Sequence, residues 1–417
     1  MVKIIPFKAI RPAKDMVHLI ASKSVDAYTQ AELISKLTNN PHTFLHIIKP
    51  DFAEIEKATP GSAEHLKKVR KKYDNYLDAK NLIQDEQPSF YLYQQHKQEN
   101  TFTGIIGCSS IDDYFSGKIK IHEQTITDRE EKLKNYLDTC NFNAEPVLFS
   151  YPDDALINKL TNEVIQTKPI YDFSTIDGTQ HKLWQINQED KIKLITQQFQ
   201  KIAAIYIADG HHRSASSALL GKERRLLNKN YDGTEAFNFY LGAFFPETQL
   251  KIYDFNRVVK DLNGLKTNEF LQQLNNSFDI EEKGTTIYKA TSLHNFSMYV
   301  AGKWYSLTAK KNIINTTDPV GSLDASILTE YILAPILGIN DLKTDKRIAF
   351  VNGTKGMEEL KTQVDSEKMQ IAFGLYPVSM QQLKLIADTN NSMPPKSTWV
   401  EPKLKSGLVV YSLDAIT

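Results

Sequence analysis

The chain has 417 residues, with 50 Lys+Arg against 50 Asp+Glu, a formal net charge of zero and 41% hydrophobic residues. That length favours two domains or one elaborated domain, and the composition is that of a globular protein rather than a disordered or fibrous one. The charge balance argues against a general nucleic-acid binder, which carries a basic excess. The only cysteines, Cys108 and Cys140, form no Cys-x-x-Cys pair, so neither a common zinc site nor a disulfide framework is suggested. The N-terminus lacks a signal-like apolar run, and Tyr331 to Ile339 is too short to span a bilayer, so a cytoplasmic location is expected.

In chain order, Thr43 to Lys49 reads as a strand closed by Pro50, and Ala63 to Asn81 as a mostly exposed helix. Ser89 to Tyr93 and Gly104 to Cys108 read as strands, and Lys118 to Ile121 alternates as a half-buried strand does. Thr127 and Glu130 have the spacing of a capping box opening a helix with Leu133, Tyr136, Leu137 and Cys140 on one stripe. This leaves His122 and Glu123 in a strand-to-helix loop. Ile192, Ile195, Phe199 and Ile202 mark another helix face. Ala203 to Ala208 is almost wholly apolar, as a strand buried on both faces should be. Asp209 and Gly210 break it, and Ser214 to Leu220 reads as helix. Further on, Asn268 to Phe278 reads as helix, and Ser297 to Ser306 as two strands about Ala301-Gly302. Leu323 to Leu337 reads as a helix bent or ended by Pro335. Arg347 to Val351 is a strand, Met380 to Ala387 a helix and Gly407 to Ser412 a strand. This alternation indicates α/β or α+β, a mixed sheet core with a C-terminal α+β part, and the domain boundary is expected near 260, giving parts 1–260 and 261–417.

The densest polar constellation is Asp209-Gly210-His211-His212-Arg213, between a buried strand and a helix. A helix N-terminus presents unpaired N–H groups and partial positive charge to an anion. Gly210 lets the backbone turn and approach a ligand, and Arg213 can bind phosphate bidentately. His211 and His212 can donate to an anion or move protons. Asp209 suits a Mg²⁺ ion or the orientation of a histidine. The plain alternative is an N-capping aspartate followed by exposed histidines. His122-Glu123 can supply a general base or metal ligand, or simply complement a helix dipole. Lys396, Ser397, Thr398 and Lys403 lie in a Pro-rich loop that can bind phosphate or merely connect, and it lacks the glycines of a P-loop. Val351 to Gly356 reads as a plain turn. His18, His65 and His294 show no metal spacing and read as surface residues, and Trp184 and Trp304 as core or edge aromatics.

Together these segments resemble the bacterial and archaeal family called domain of unknown function 1015. The resemblance is carried by Ala27-Tyr28, Phe44 to Pro50, Lys118 to Thr125, Ile207 to Arg213, Leu323-Asp324 and Met393 to Gly407. Two positions depart from the pattern: Asn256 stands where the family often has His, and Ser24-Val25-Asp26-Ala27 where it tends to Pro-Tyr-Asp-Val. The Asp209–Arg213 loop also resembles the phosphate-binding motif of the ParB/sulfiredoxin superfamily, which includes free-serine kinases. That resemblance implies nucleotide phosphates (ATP or ADP, with Mg²⁺) at Gly210 to Arg213 and a glutamate base, for which Glu123 is the candidate. The expected function is phosphoryl transfer on a small hydroxylated metabolite, serine or phosphoserine first. The alternatives are a phosphatase-like hydrolase and a nucleotide-binding regulatory module. The expected partner is a small-molecule substrate, without membrane or nucleic acid, and the oligomeric state is left open.

Overall fold

The computed structural model describes residues 1–55, 57–228 and 230–414. Its elements are of mixed α/β class, as the alternation implied. The chain divides into two units. One comprises Met1–Leu250 and the chain from Pro402 onward, the other Lys251–Glu401. The second unit is therefore an insertion in the first. Its entering strand, Lys251–Tyr253, pairs antiparallel with its leaving strand, Trp399–Glu401. Where the sequence suggested one break near 260, the chain changes unit after Leu250 and again after Glu401.

The first unit is built on a nine-stranded mixed sheet. From one edge, its strands run Ile119–Lys120, Ile205–Asp209, Val147–Tyr151, Phe239–Pro246, Asn100–Ser110, Phe90–Lys97, Gln180–Ile186 and Tyr171–Ser174, with Ile4–Ile5 beside Asn100–Ser110. Ile205–Asp209 is parallel to Ile119–Lys120 and antiparallel to Val147–Tyr151. Phe149, Phe244, Phe199 and Tyr151 pack with Ile205 and Ile207 in one core under this region. Tyr206 and Ala208, on the other face of the strand, are buried as well, as its apolar run required.

The second unit carries a six-stranded antiparallel sheet, in the order Phe278–Gly284, Lys303–Ala309, Asn295–Val300, Ile371–Gly374, Phe255–Val259, Ile348–Asn352. The hairpin about Ala301-Gly302 forms as expected, both residues taking positive φ (51° and 78°) in the tight turn. Asp324–Leu328 is α-helical and continues as a π-helix over Thr329–Leu333, so the regular helix ends before Pro335.

Several local expectations are corrected. Thr43 to Lys49 contains a short helix, Leu45–Ile48, rather than a strand. Phe44, Leu45 and Ile47 are all buried, and so short an apolar run does not separate a strand from a helical turn. The helix Ala63–Asp78 is not mostly exposed, for Leu66, Val69, Tyr73 and Tyr76 form a buried face. Ile119 is buried but Ile121 is exposed, so the alternation of that strand is broken. Thr127 is the first residue of its helix, not the cap. Ile126 takes the cap position, and it is the Thr125 hydroxyl that donates to Glu130. Asn268 to Phe278 is helical only to Leu274, and Phe278 opens the next strand. Of Gly407 to Ser412 only Tyr411–Ser412 is strand. His65 is buried, and His294 lies with its Nδ1 3.2 Å from the buried Asp324 carboxylate, so neither is a plain surface residue. Trp184 and Trp304 are core residues, as expected.

Gly407 shows why two distant family segments go together. It has φ +70°, and a Cβ there would meet the buried Phe44 ring at 2.3 Å. Gly407→Ala adds left-handed strain of about 1–2 kcal/mol and overpacking of about 1–3 kcal/mol. The expected result is a loss of about 2–5 kcal/mol of stability, read as a lower urea midpoint with an unchanged slope. A variant as stable as the parent would show that Phe44 can give way.

Candidate functional site

Strand Ile205–Asp209 shifts register against Val147–Tyr151 at Ala208, which brings Asp209 opposite Leu148. Gly210 follows in the left-handed conformation (φ 103°, ψ 31°) and is the N-cap of helix His211–Leu227. The turn therefore occupies a single residue. His211, His212 and Arg213 lie in the first helical turn rather than in a loop, and Asp209 is not the cap. The first helical bond runs from Ser214 N–H to Gly210 O at 3.0 Å, so the N–H groups of His211, His212 and Arg213 stand outside the helical ladder. Small buried residues, Ser214 to Ala218, seat the helix closely on the sheet, with Ser214 Oγ 2.7 Å from the Tyr240 hydroxyl.

His211 is buried beneath the loop that carries His122 and Glu123. Its Nε2 accepts the backbone N–H of His122 at 3.4 Å, and its Nδ1 lies 3.6 Å from Glu123 Oε2. An accepting Nε2 places the proton of a neutral ring on Nδ1, facing the carboxylate. Burial, and then the neighbouring His122, hold the His211 pKa well below the ordinary histidine value. The two rings meet edge to face at 4.5 Å. His122 is also buried, which lowers its pKa to about 4 against the opposing pull of Asp209. Glu123, by contrast, keeps 53% of its side chain exposed. Among the described residues, the buried Nδ1 atoms of His122 and His212 have no hydrogen-bond partner.

Asp209 receives Lys403 Nζ at 2.8 Å. Burial alone would raise the Asp209 pKa, but Lys403, Arg213 and His211 bring it down to about 2. The Arg213 guanidinium folds back over Gly210, where a Cβ would lie 2.9 Å from Nη2, and the φ of 103° there is one that L side chains rarely adopt. Arg213 Nη1 donates to Pro146 O at 2.6 Å and lies 3.8 Å from Glu145 Oε2. Glu145 Oε1 in turn accepts the Ser406 hydroxyl at 2.6 Å.

The structure thus brings His122, Glu123, Asp209, Gly210, His211, Arg213 and Lys403 to one corner. His212 faces the helix Thr127–Cys140, where Arg129 and Glu130 act on its charge and burial lowers its pKa. Lys396, Ser397 and Thr398 belong to the other unit. There, Lys396 Nζ sits 5.6 Å from the Phe255 ring centre and the Ser397 hydroxyl donates to Pro394 O. Sequence reasoning missed Glu145 and Pro146, which tether Arg213. They precede a strand and carry no motif, so only the fold shows their part.

Among the described residues, no helix is long and apolar enough to cross a membrane. No curated protein matches the chain in sequence. Solved structures similar to it include a free serine kinase variant in complex with AMP, at 13% identity and a TM-score of 0.37, covering 74% of this chain and 92% of that one. SbnI from Staphylococcus aureus, truncated at its C-terminus, is similar at 13% identity and a TM-score of 0.38, covering 71% and 82%. A conserved hypothetical protein from Pyrococcus furiosus is similar at 14% identity and a TM-score of 0.35, covering 74% and 95%. The family model described as "Protein of unknown function (DUF1015)" matches residues 4–326, more than half of the sequence, and the chain belongs to that family.

Proposed function

We propose that the corner formed by Asp209 to Arg213, Glu123 and Lys403 binds the phosphates of a nucleotide and passes a phosphoryl group to the hydroxyl of a small metabolite. Serine and phosphoserine are the first substrates to test. The observation that carries this reading is the convergence of unlike groups on one helix N-terminus: Arg213 folded over Gly210, Lys403 on Asp209 and Glu123 beside His211. Such chemistry is mainly positioning and charge neutralisation. The first-turn N–H groups and Arg213 hold phosphate oxygens, and Lys403 adds charge. The hydroxyl proton passes to Glu123 as its oxygen bonds to phosphorus and the bond to the leaving nucleotide breaks. Neutral His211, with its proton on Nδ1, orients the Glu123 carboxylate. Mg²⁺ would enter with the nucleotide, using Asp209 as its one carboxylate ligand alongside phosphates and waters. The reading does not depend on Lys396, Ser397 or Thr398.

The test is nucleotide binding and turnover of serine or phosphoserine with Mg²⁺ by the purified protein. Arg213→Ala removes charge-assisted hydrogen bonds of about 1.5–3 kcal/mol, so nucleotide affinity falls about 10- to 100-fold. Unaltered affinity sinks the phosphate role of Arg213. Free phosphate released without nucleotide would make the corner a hydrolase. Tight nucleotide binding without turnover would make it a regulatory module.

A further inference from the structure

One cation of the inserted unit is shut away without a counter-charge. Arg257 lies on the strand Phe255–Val259, between Ile348–Asn352 and Ile371–Gly374, and is fully buried. Phe255 and Arg257 share one face of that strand, and Phe350 and Phe373 stand opposite Arg257 on the neighbouring strands. The guanidinium carbon sits 5.3 Å from the Phe350 ring centre, and Nη1 donates to the Phe255 carbonyl. The Phe255 and Phe350 rings meet edge to face at 6.2 Å. Nε and Nη2 are both buried and, among the described residues, have no hydrogen-bond partner. No carboxylate among those residues pairs with Arg257. The two unmet nitrogens are not an arbitrary pair. They form one side of the planar guanidinium fork, from which two N–H bonds project in parallel.

A buried guanidinium with two unmet donors is a costly arrangement, and one aromatic face and one carbonyl offset it only in part. Two oxygens of a single anion would satisfy both donors and the charge together. We propose that Arg257 is the centre of an oxyanion-binding site within the inserted unit, taking the carboxylate or phosphate group of a small ligand on Nε and Nη2. Lys396 supplies a second positive charge. Its side chain is exposed, and its ammonium lies 5.6 Å from the centre of the same Phe255 ring. Phe350 is half-buried, so the aromatic pair links the surface to the guanidinium and offers a wall to the apolar part of the ligand. Lys396 thus regains the anion-binding role that its sequence suggested, on other partners than Asp209 to Arg213. Every residue used here belongs to the inserted unit, so the site stands or falls apart from the function proposed for the corner.

The test is the melting temperature of the full-length protein titrated with inorganic phosphate and with acetate, chloride at matched ionic strength being the reference. Arg213→Ala is the background, so that phosphate held at the corner does not contribute. An anion that binds only the folded chain raises the melting temperature as its concentration passes Kd, and at least one of the two is expected to do so. A response to phosphate alone marks a phosphate ester as the ligand, and a response to acetate alone marks a carboxylate. Adding Arg257→Met abolishes the response. Adding Lys396→Ala instead weakens the affinity about tenfold, the loss of one charge-assisted hydrogen bond. General salting-out by phosphate survives both substitutions. Should Arg257→Met fail to fold, Lys396→Ala at its exposed position decides alone. No rise with either anion overturns the proposal, as does a rise that the substitutions leave unchanged.

Discussion

Glu123→Gln is expected to lower turnover by about 10²- to 10⁴-fold, the usual contribution of a positioned general base, while nucleotide affinity stays near the wild-type value. The reasoning is one of elimination within the corner. Asp209 is held to a pKa of about 2 by Lys403 and Arg213, so it is too weak a base. The Nε2 of His211 is occupied by the His122 N–H. Glu123 combines an exposed carboxylate with a neighbour, His211 Nδ1, 3.6 Å away. Glutamine keeps an oxygen for that neighbour, so the substitution removes basicity and little else. Steady-state kinetics alongside nucleotide titration checks this. Full turnover in the variant would move the base elsewhere and end the role given to Glu123.

The second large effect is loss of stability in mild acid. His122 and His181 are buried and neutral, with pKa values lowered by burial to about 4 and about 3, and His211 is lowered in the same sense. Once unfolded, each recovers the ordinary value near 6.5 and takes up a proton. Between the folded and unfolded values the unfolded state binds more protons, so stability rises with pH there and levels off above about 6.5. At pH 5 the gap is 1.5 pH units, which at 1.36 kcal/mol per unit is about 2 kcal/mol for each of His122 and His181. Urea unfolding at pH 7.5 and pH 5.0 should therefore differ by about 4 kcal/mol, with His211 adding to it. His122→Asn should flatten the dependence by its share. Equal stability at the two pH values would mean that these rings are already charged in the fold.

The corner itself was legible because three strong signals abut: a wholly apolar strand, a glycine, and a helix of small residues. Each rests on local chemistry that survives folding. Lys403 came from a family segment, and the structure sets it on Asp209. What stayed hidden was long-range. Nothing near Glu145 or Pro146 announces that Arg213 will anchor there. His65 reads as a surface residue until the helix Ala63–Asp78 is seen to bury one face. The run from Thr43 misleads because buried helical turns and buried strands share a composition. The Pro-rich loop from Met393 also looks continuous in sequence, yet its lysines Lys396 and Lys403 fall in different units.

The return of the chain after Glu401 bears on biosynthesis. A growing chain makes Asp209 to Arg213 with Glu123 and His122 already in place. Lys403 emerges only after the whole of residues 251–401 has been produced. Until then the Asp209 carboxylate lacks its ammonium partner, Lys403. A ribosome-bound chain therefore carries the signature motif without a finished site. Its ammonium partner follows the inserted unit in the order of synthesis.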